Sequence, residues 1–148
     1  MSEFAHRRIW YHLWDGPEHF APPFAPRPYT CMVVASLAGL PRRRLLEVCR
    51  SLIATDCRSV VAFGPEAERW HDWLDWVYLE SDPEVSDEHF VMSSGFDDEP
   101  LGEAMFHFLM CADFEGLRFQ EFVILFANPD ETLRGEILES LQTLRFLD

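Results

Sequence analysis

The feature that most constrains the fold is a regular alternation of apolar, strand-length runs with amphipathic segments of helical period. The apolar runs are rich in β-branched and aromatic residues and occupy four stretches: 30–38, 57–64, 89–94 and 118–127. In the segments that follow them, apolar residues recur every three to four positions, as in an amphipathic helix. These segments are 41–56, 65–81, a third that Asp97 or Asp98 would cap, and 128–146. The order along the chain is therefore a strand followed by a helix, four times.

Strands that are apolar throughout and alternate with helices predict a parallel sheet covered on both faces. We therefore expect an α/β fold: a three-layer sandwich with a four-stranded, mostly parallel sheet. We expect right-handed crossovers and the strand order 2-1-3-4. The chain has 148 residues, which fits one domain, and we assign residues 29–148 to it.

Residues 1–28 have a different character, because six large aromatic residues and five prolines crowd into this short stretch. We interpret it as an aromatic, proline-rich N-terminal arm that packs on the core. A short helix around 3–14 followed by an extended run is the expected local structure. The alternative is that the arm forms an aromatic surface for a partner.

The net charge of −14 is concentrated in one part of the sequence. Residues 66–115 contain fifteen acidic residues and a single basic one, Arg69, so this segment alone carries a charge of −14. The rest of the chain is neutral. Such a segment repels nucleic acid and anionic lipid and attracts basic partners, although a solubilising surface has the same composition.

Several chemistries are excluded or disfavoured. All twelve basic residues are arginine, so a Walker A lysine and an internal lysine Schiff base are excluded. No glycine-rich dinucleotide motif is present, and we expect no cofactor and no metal. No C-x-x-C pair occurs, so we expect reduced, buried thiols at the four cysteines, Cys31, Cys49, Cys57 and Cys111. The N-terminus lacks the apolar core of a secretory signal, which favours the cytoplasm.

In a parallel α/β sheet, ligands bind where the strands end. Carboxylates follow the second and third predicted strands, and two serines end the third. Two carboxylates with a nucleophile are the parts that hydrolysis or glycosyl transfer needs. The candidate catalytic residues of an enzyme are Glu66, Ser93, Ser94, Asp98 and Glu99. Acids at this point also suit the start of a helix, because they interact favourably with its dipole.

The helix predicted at 65–81 carries the other candidate site. Trp70 and Trp73 fit its buried stripe, whereas Trp76 lies off it, so Trp76 is either covered by the N-terminal arm, which we favour, or exposed as an interface anchor with an acidic rim. We expect His71 and Asp75 to form a surface pair one turn apart. On the third helix Phe106 and Met110 widen the apolar stripe, which indicates cover on a second side. The candidate partner-binding residues are Asp72, Asp75, Trp76, Glu80, Asp97, Asp98 and Glu99.

Two blocks of the sequence, "FGPEAERWHD" at 63–72 and "FVMSSGFDDEPLGE" at 90–103, carry a resemblance to known proteins. The chain resembles a family of small uncharacterised bacterial α/β proteins that share an F-G-P…W-x-D stretch and an F-V-M…D-E-P-L-x-E block, over roughly residues 29–127. The resemblance implies the fold and no function. Family members often carry Trp-His where this chain has Gly95-Phe96, and if that histidine serves catalysis, its absence argues against activity here.

The favoured hypothesis is a small, acidic, cytosolic protein-binding domain, for example an immunity- or antitoxin-type inhibitor of a basic protein partner. The alternative is a small hydrolase or glycosyl-transfer-type enzyme with a carboxylate site at the carboxyl ends of the strands. A third hypothesis is a domain that self-associates through Trp76 and the N-terminal arm. We expect no binding to nucleic acid or membranes.

Overall fold

The structure is a computed structural model, and it describes residues 2–4, 7–13, 22, 24, 26–35, 42–64, 67–81, 92–96, 100–110, 119–128, 132 and 134–139. Within these ranges there are six strands: β1 (Ser2–Phe4), β2 (Arg7–Leu13), β3 (Tyr29–Ala35), β4 (Cys57–Phe63), β5 (Met92–Phe96) and β6 (Glu121–Asn128). The helices are α1 (Arg42–Ala54), α2 (Ala67–Ser81), α3 (Leu101–Met110) and a last helical segment at 134–139, here α4. The predicted alternation of strands and helices from residue 29 onwards is therefore confirmed.

The strands form one sheet in the order β1-β2-β6-β3-β4-β5. All neighbouring pairs are parallel except β1 and β2, which are antiparallel. The four predicted strands thus occupy the order 4-1-2-3, and the expected order 2-1-3-4 is wrong. Periodicity shows that a strand is covered on both faces, but it carries no information on which strand lies next to it.

The expected helix around 3–14 is also wrong, because this stretch forms β1 and β2. β2 reads RRIWYHL, and its isoleucine, tryptophan and tyrosine favour the pleated surface of a sheet. Trp10 of β2 pairs in parallel register with Val123 of β6, so the strand extends the sheet beyond the four predicted strands. The amino-terminal segment therefore supplies two strands of the sheet.

Two separate hydrophobic clusters pack on opposite faces of the sheet, which confirms the three-layer architecture. On one face, Cys31 and Val33 of β3 meet Leu45 of α1 and Trp70 and Leu74 of α2. On the other face, alternate residues of the same strands meet α3 and α4. Members of this second cluster include Met32, Val34, Phe108, Phe122 and Ile137. Alternation of side chains along each strand distributes the apolar residues to both layers.

The face on which each crossover helix packs depends on the direction in which the chain moves along the sheet. From β3 to β4 to β5 the chain moves one strand at a time toward one edge, with α1 and α2 on the first face. It then returns past β4 and β3 to β6, with α3 on the second face. A change of face with each change of direction is what a constant handedness of crossover requires. As a result, α1 and α2 lie side by side, and their outer surfaces point away from the sheet.

Two glycines allow the start of α2 to approach β5 closely. Gly64 has φ 131°, and its N–H donates a hydrogen bond of 3.2 Å to the carbonyl oxygen of Phe96. A Cβ atom added at Gly95 would lie 3.1 Å from the carbonyl oxygen of Ala67 and 3.0 Å from Oε1 of Glu68. The first of these atoms belongs to the backbone of α2, which cannot move without shifting the helix.

Replacing Gly95 by alanine is expected to lower the free energy of unfolding by about 1–3 kcal/mol, since the new methyl group overpacks the contact between β5 and α2. The matched control is Gly102→Ala in α3, where an added Cβ has nothing within 4 Å. There the exchange should raise the free energy of unfolding by up to about 1 kcal/mol, through helix propensity alone. Urea denaturation of the two variants measures both effects, and equal stability of the two would contradict this packing.

Candidate functional site

The outer face of α2 is the best-described candidate site, and we define it as Asp72, Asp75, Trp76, Leu79 and Glu80. All five side chains are exposed, and the two apolar ones keep 51% (Trp76) and 49% (Leu79) of their surface open. At about 100° per residue the five positions fall within one arc of the helix. The residues of the opposite arc, which include Trp70, Leu74 and Val77, are buried against the sheet.

The expectation that the N-terminal arm buries Trp76 is wrong. Phe24 of the arm instead packs against Trp10 of β2 and Tyr29 of β3, at ring-centroid distances of 6.0 and 5.5 Å. These strands lie away from β5, the strand next to the start of α2. Phe24 thus contacts the middle of the sheet, and Trp76 matches the alternative interpretation, an exposed tryptophan with an acidic rim.

Trp76 is held in place by a second tryptophan. The rings of Trp73 and Trp76 meet edge to face, with centroids 5.8 Å apart and an interplanar angle of 79°. Trp73 is itself half-buried and packs against the core cluster of α1 and α2. The guanidinium of Arg42 at the start of α1 also lies over the Trp73 ring, 4.4 Å from the centroid. The exposed indole of Trp76 is therefore connected through Trp73 to a cation on the neighbouring helix.

The charged residues of α2 are predominantly acidic and face solvent. The helix has four exposed acids, Glu68 and the three of the outer face, but a single arginine, Arg69. Glu80 is paired with Arg50 of α1 at 3.8 Å, a contact exposed enough to contribute no more than about 1 kcal/mol. His71 and Asp75 form the predicted surface pair one turn apart, with 3.6 Å between Nε2 and Oδ2. The acidic surface is thus bordered by cations on the side of α1.

The predicted catalytic residues are only partly covered by the structure. Glu66, Asp97, Asp98 and Glu99 lie outside the described residues, and Ser93 is described only as a residue of β5 paired with Val60. Ser94 is described fully: its Oγ lies 3.3 Å from Nε2 of His107 on α3.

This contact between Ser94 and His107 was not predicted, because the two residues belong to different elements. His107 also packs on the ring of Phe96, with centroids 5.4 Å apart. The expectation that α3 is covered on a second side is wrong for Phe106, because 60% of the surface of this residue is exposed. Within the part of the chain that the structure describes, no carboxylate is hydrogen-bonded to His107 in the way that the acid of a serine–histidine–aspartate triad is.

A second polar cluster, which sequence reasoning missed, lies at the amino-terminal edge of the sheet. Glu121 begins β6 and its side chain is fully buried. Its carboxylate accepts a hydrogen bond of 2.6 Å from the indole N–H of Trp10 and pairs with the guanidinium of Arg27 at 3.3 Å. The cluster links β2, β6 and the segment before β3. The only signal in the sequence is a glutamate directly before a continuous apolar run.

Beside this cluster is a shallow cavity of about 330 Å³. Its lining residues come from the N-terminal arm and from the end of α1: Pro22, Phe24, Pro26, Arg27, Ala54, Thr55 and Asp56. Asp56, two residues after the end of α1, adopts the left-handed conformation with φ 69°, and its carboxylate lies 3.9 Å from Arg58. The hydroxyl of Thr55 donates to the carbonyl oxygen of Ser51 and lies 2.6 Å from that of Tyr29. The polar groups on this side of the cavity are therefore satisfied within the fold.

The described thiols do not have the properties of reactive cysteines. Cys31, Cys49 and Cys57 are free and buried, as predicted for these three residues, whereas Cys111 lies outside the described residues. Burial raises the pKa of the Cys49 thiol to about 12 and raises the pKa of Cys31 and Cys57 as well. Burial is also the main reason why the pKa of the Tyr29 hydroxyl is raised. These groups therefore stay protonated at neutral pH and serve the core.

The described side chains contain no group of three or more histidine, cysteine, aspartate or glutamate residues arranged to hold a metal ion. No helix in the described ranges has the length and apolar character needed to cross a bilayer.

The sequence comparisons place the chain in a family. The model of a domain of unknown function, DUF7684, matches residues 9–143, which is most of the chain. The protein therefore belongs to the DUF7684 family, and the resemblance to a family without known function is confirmed. No curated protein and no solved structure matches the chain.

Proposed function

We propose that the protein is a cytoplasmic binding protein that docks on a basic protein partner through the outer face of α2. The observation that carries the proposal is the pair of half-exposed apolar side chains, Trp76 and Leu79, set among carboxylates on a helix whose opposite side is fully packed. Tryptophan is enriched among the residues that dominate binding energy, and an acidic surrounding selects a basic partner and speeds association.

The helix is well suited to act as a rigid docking element. Its inner side is anchored by Trp70, Leu74 and Val77, so the outer side chains need little ordering when a partner binds. The edge-to-face contact with Trp73 restricts the indole of Trp76 in the same way. An immunity- or antitoxin-type inhibitor of a basic toxin is the kind of binding protein that best fits a small acidic domain. The predicted contribution of Asp97, Asp98 and Glu99 stays part of the proposal, outside the described residues.

The test compares protein captured from a lysate of the source organism by the immobilised wild type and by two variants. One variant removes the apolar anchors, Trp76→Ala with Leu79→Ala. The other removes charge without changing size, Asp72→Asn with Asp75→Asn and Glu80→Gln. We expect a basic protein on the wild type at low salt. When that protein has been purified, the anchor variant should bind it with a dissociation constant raised by about 30-fold or more. The charge variant should mainly slow association.

Phe106→Ala is the matched control, since it removes a large exposed aromatic side chain from α3 on the opposite face of the sheet. It should leave capture and affinity unchanged. Three results would overturn the proposal: no retained protein at low or high salt, a retained protein that is not basic, or equal retention by the wild type and the anchor variant.

A second candidate function, hydrolysis with Ser94 as nucleophile, is favoured by one observation, the 3.3 Å approach of Ser94 Oγ to His107 Nε2. A histidine at this position can accept the serine proton and so raise nucleophilicity. If the pair is catalytic, a fluorophosphonate probe should label Ser94, and mass spectrometry should locate the adduct. His107→Gln should then slow labelling by about 100-fold or more, the size of a lost general base. Absence of labelling at Ser94, or labelling that is insensitive to His107→Gln, removes this candidate.

A further inference from the structure

We propose that the outer face of α2 recognises arginine side chains in particular, with Trp76 as the surface on which a guanidinium stacks and Asp72 and Glu80 as the carboxylates beside it. This inference deepens the proposed function and rests on it, because it names the chemical group by which the outer face of α2 recognises a basic partner.

The neighbouring helix α1 already makes this kind of contact within the fold. The guanidinium of Arg42 lies 4.4 Å from the centre of the Trp73 ring, and Nη2 of Arg50 lies 3.8 Å from Oε1 of Glu80. The side chains of Arg50 and Glu80 are both about half exposed, at 55% and 51%. One surface of α2 thus binds one guanidinium through an indole and a second through a carboxylate.

Trp76 is the exposed aromatic residue next to Trp73 on α2. Its ring meets Trp73 edge to face at 5.8 Å, and half of its surface stays open to solvent. Asp72 and Glu80 lie four residues before and four residues after it, which places one carboxylate a helical turn away on either side. A guanidinium over Trp76 would therefore have an acid at each end of the ring. A carboxylate can accept several hydrogen bonds, so Glu80 can accept from an incoming arginine while it stays paired with Arg50.

The geometry favours arginine over lysine for a physical reason. The guanidinium is planar and weakly hydrated, so it can stack on an indole while its edge donates to carboxylates in the same plane. An ammonium group is compact and strongly hydrated, and it loses more hydration when it approaches a ring. Both carry the same charge, so attraction to the acidic face alone cannot distinguish them.

The test uses two probe peptides of equal length and charge, acetylated and amidated, in which three arginines or three lysines alternate with glycine. Nuclear magnetic resonance follows the indole N–H signals of the ¹⁵N-labelled protein during titration, and Trp76→Phe identifies the signal of Trp76. We expect the arginine peptide to shift this signal and to bind at least about twofold more tightly than the lysine peptide.

Three variants separate stacking from charge. Trp76→Leu keeps an apolar side chain but removes the ring, and it should abolish the preference for arginine, whereas Leu79→Ala removes neighbouring apolar surface and should preserve it. Asp72→Asn with Glu80→Gln should weaken both peptides without equalising them. The inference is overturned if the two peptides bind the wild type equally, if neither binds, or if the preference survives in Trp76→Leu.

Failure of this inference and failure of the proposed function give different results. If the lysate experiment yields a basic partner but replacing its interfacial arginines by lysine leaves the affinity unchanged, the docking surface stands and arginine recognition fails. If the arginine peptide is preferred but no basic partner is captured, recognition of the guanidinium stands and the proposed function fails.

Discussion

The structure depends on one constraint: the central strands β3, β4 and β6 are apolar on both sides, so neither face of the sheet can be left to water. Tyr29, Cys31 and Val33 on one side of β3, and Met32 and Val34 on the other, are all fully or almost fully buried. Burial of apolar surface at about 25 cal/mol per Å² makes cover on both faces the dominant requirement. The helices α1 and α2 meet it on one face by packing side by side. Once they do so, the far side of α2 has no further contact to make with the sheet, and whatever is placed there is available for another purpose.

The elements themselves could be predicted because their signals are local. The helical spacing of Trp70, Leu74 and Val77, and the apolar runs of β3 and β6, are visible within a few residues. Strand order, the strands β1 and β2, and the surroundings of Trp76 could not be predicted, because each depends on which distant segments meet. Trp10 is a clear example: its strand is defined by pairing with β6, more than a hundred residues away, and by its hydrogen bond to the buried Glu121. The same limit applies to the site, since Ser94 and His107 come together only after β5 and α3 have packed.

The composition of α2 is easiest to understand as the result of two separate requirements on one helix. Its inner side satisfies the core, whereas its outer side combines an indole and a leucine with carboxylates, a combination that costs solubility and contributes little to folding. An ordinary solubilising surface needs the acids but not the exposed tryptophan. The contacts of Arg42 with Trp73 and of Arg50 with Glu80 show that α2 already holds two guanidinium groups within the fold, and the proposal of arginine recognition extends this chemistry to Trp76.

The most direct test of the account is a comparison of matched residues on the two sides of α2 in the isolated protein. Hydroxyl-radical footprinting with mass spectrometry measures the oxidation rate of each side chain, and α2 offers two pairs of equal residue type, Trp76 with Trp70 and Leu79 with Leu74. If the outer face of α2 is open to a partner, Trp76 and Leu79 are oxidised rapidly, whereas Trp70 and Leu74 are strongly protected. Protection of Trp76 equal to that of Trp70 would mean that another part of the chain covers the outer face of α2, and it would contradict the account.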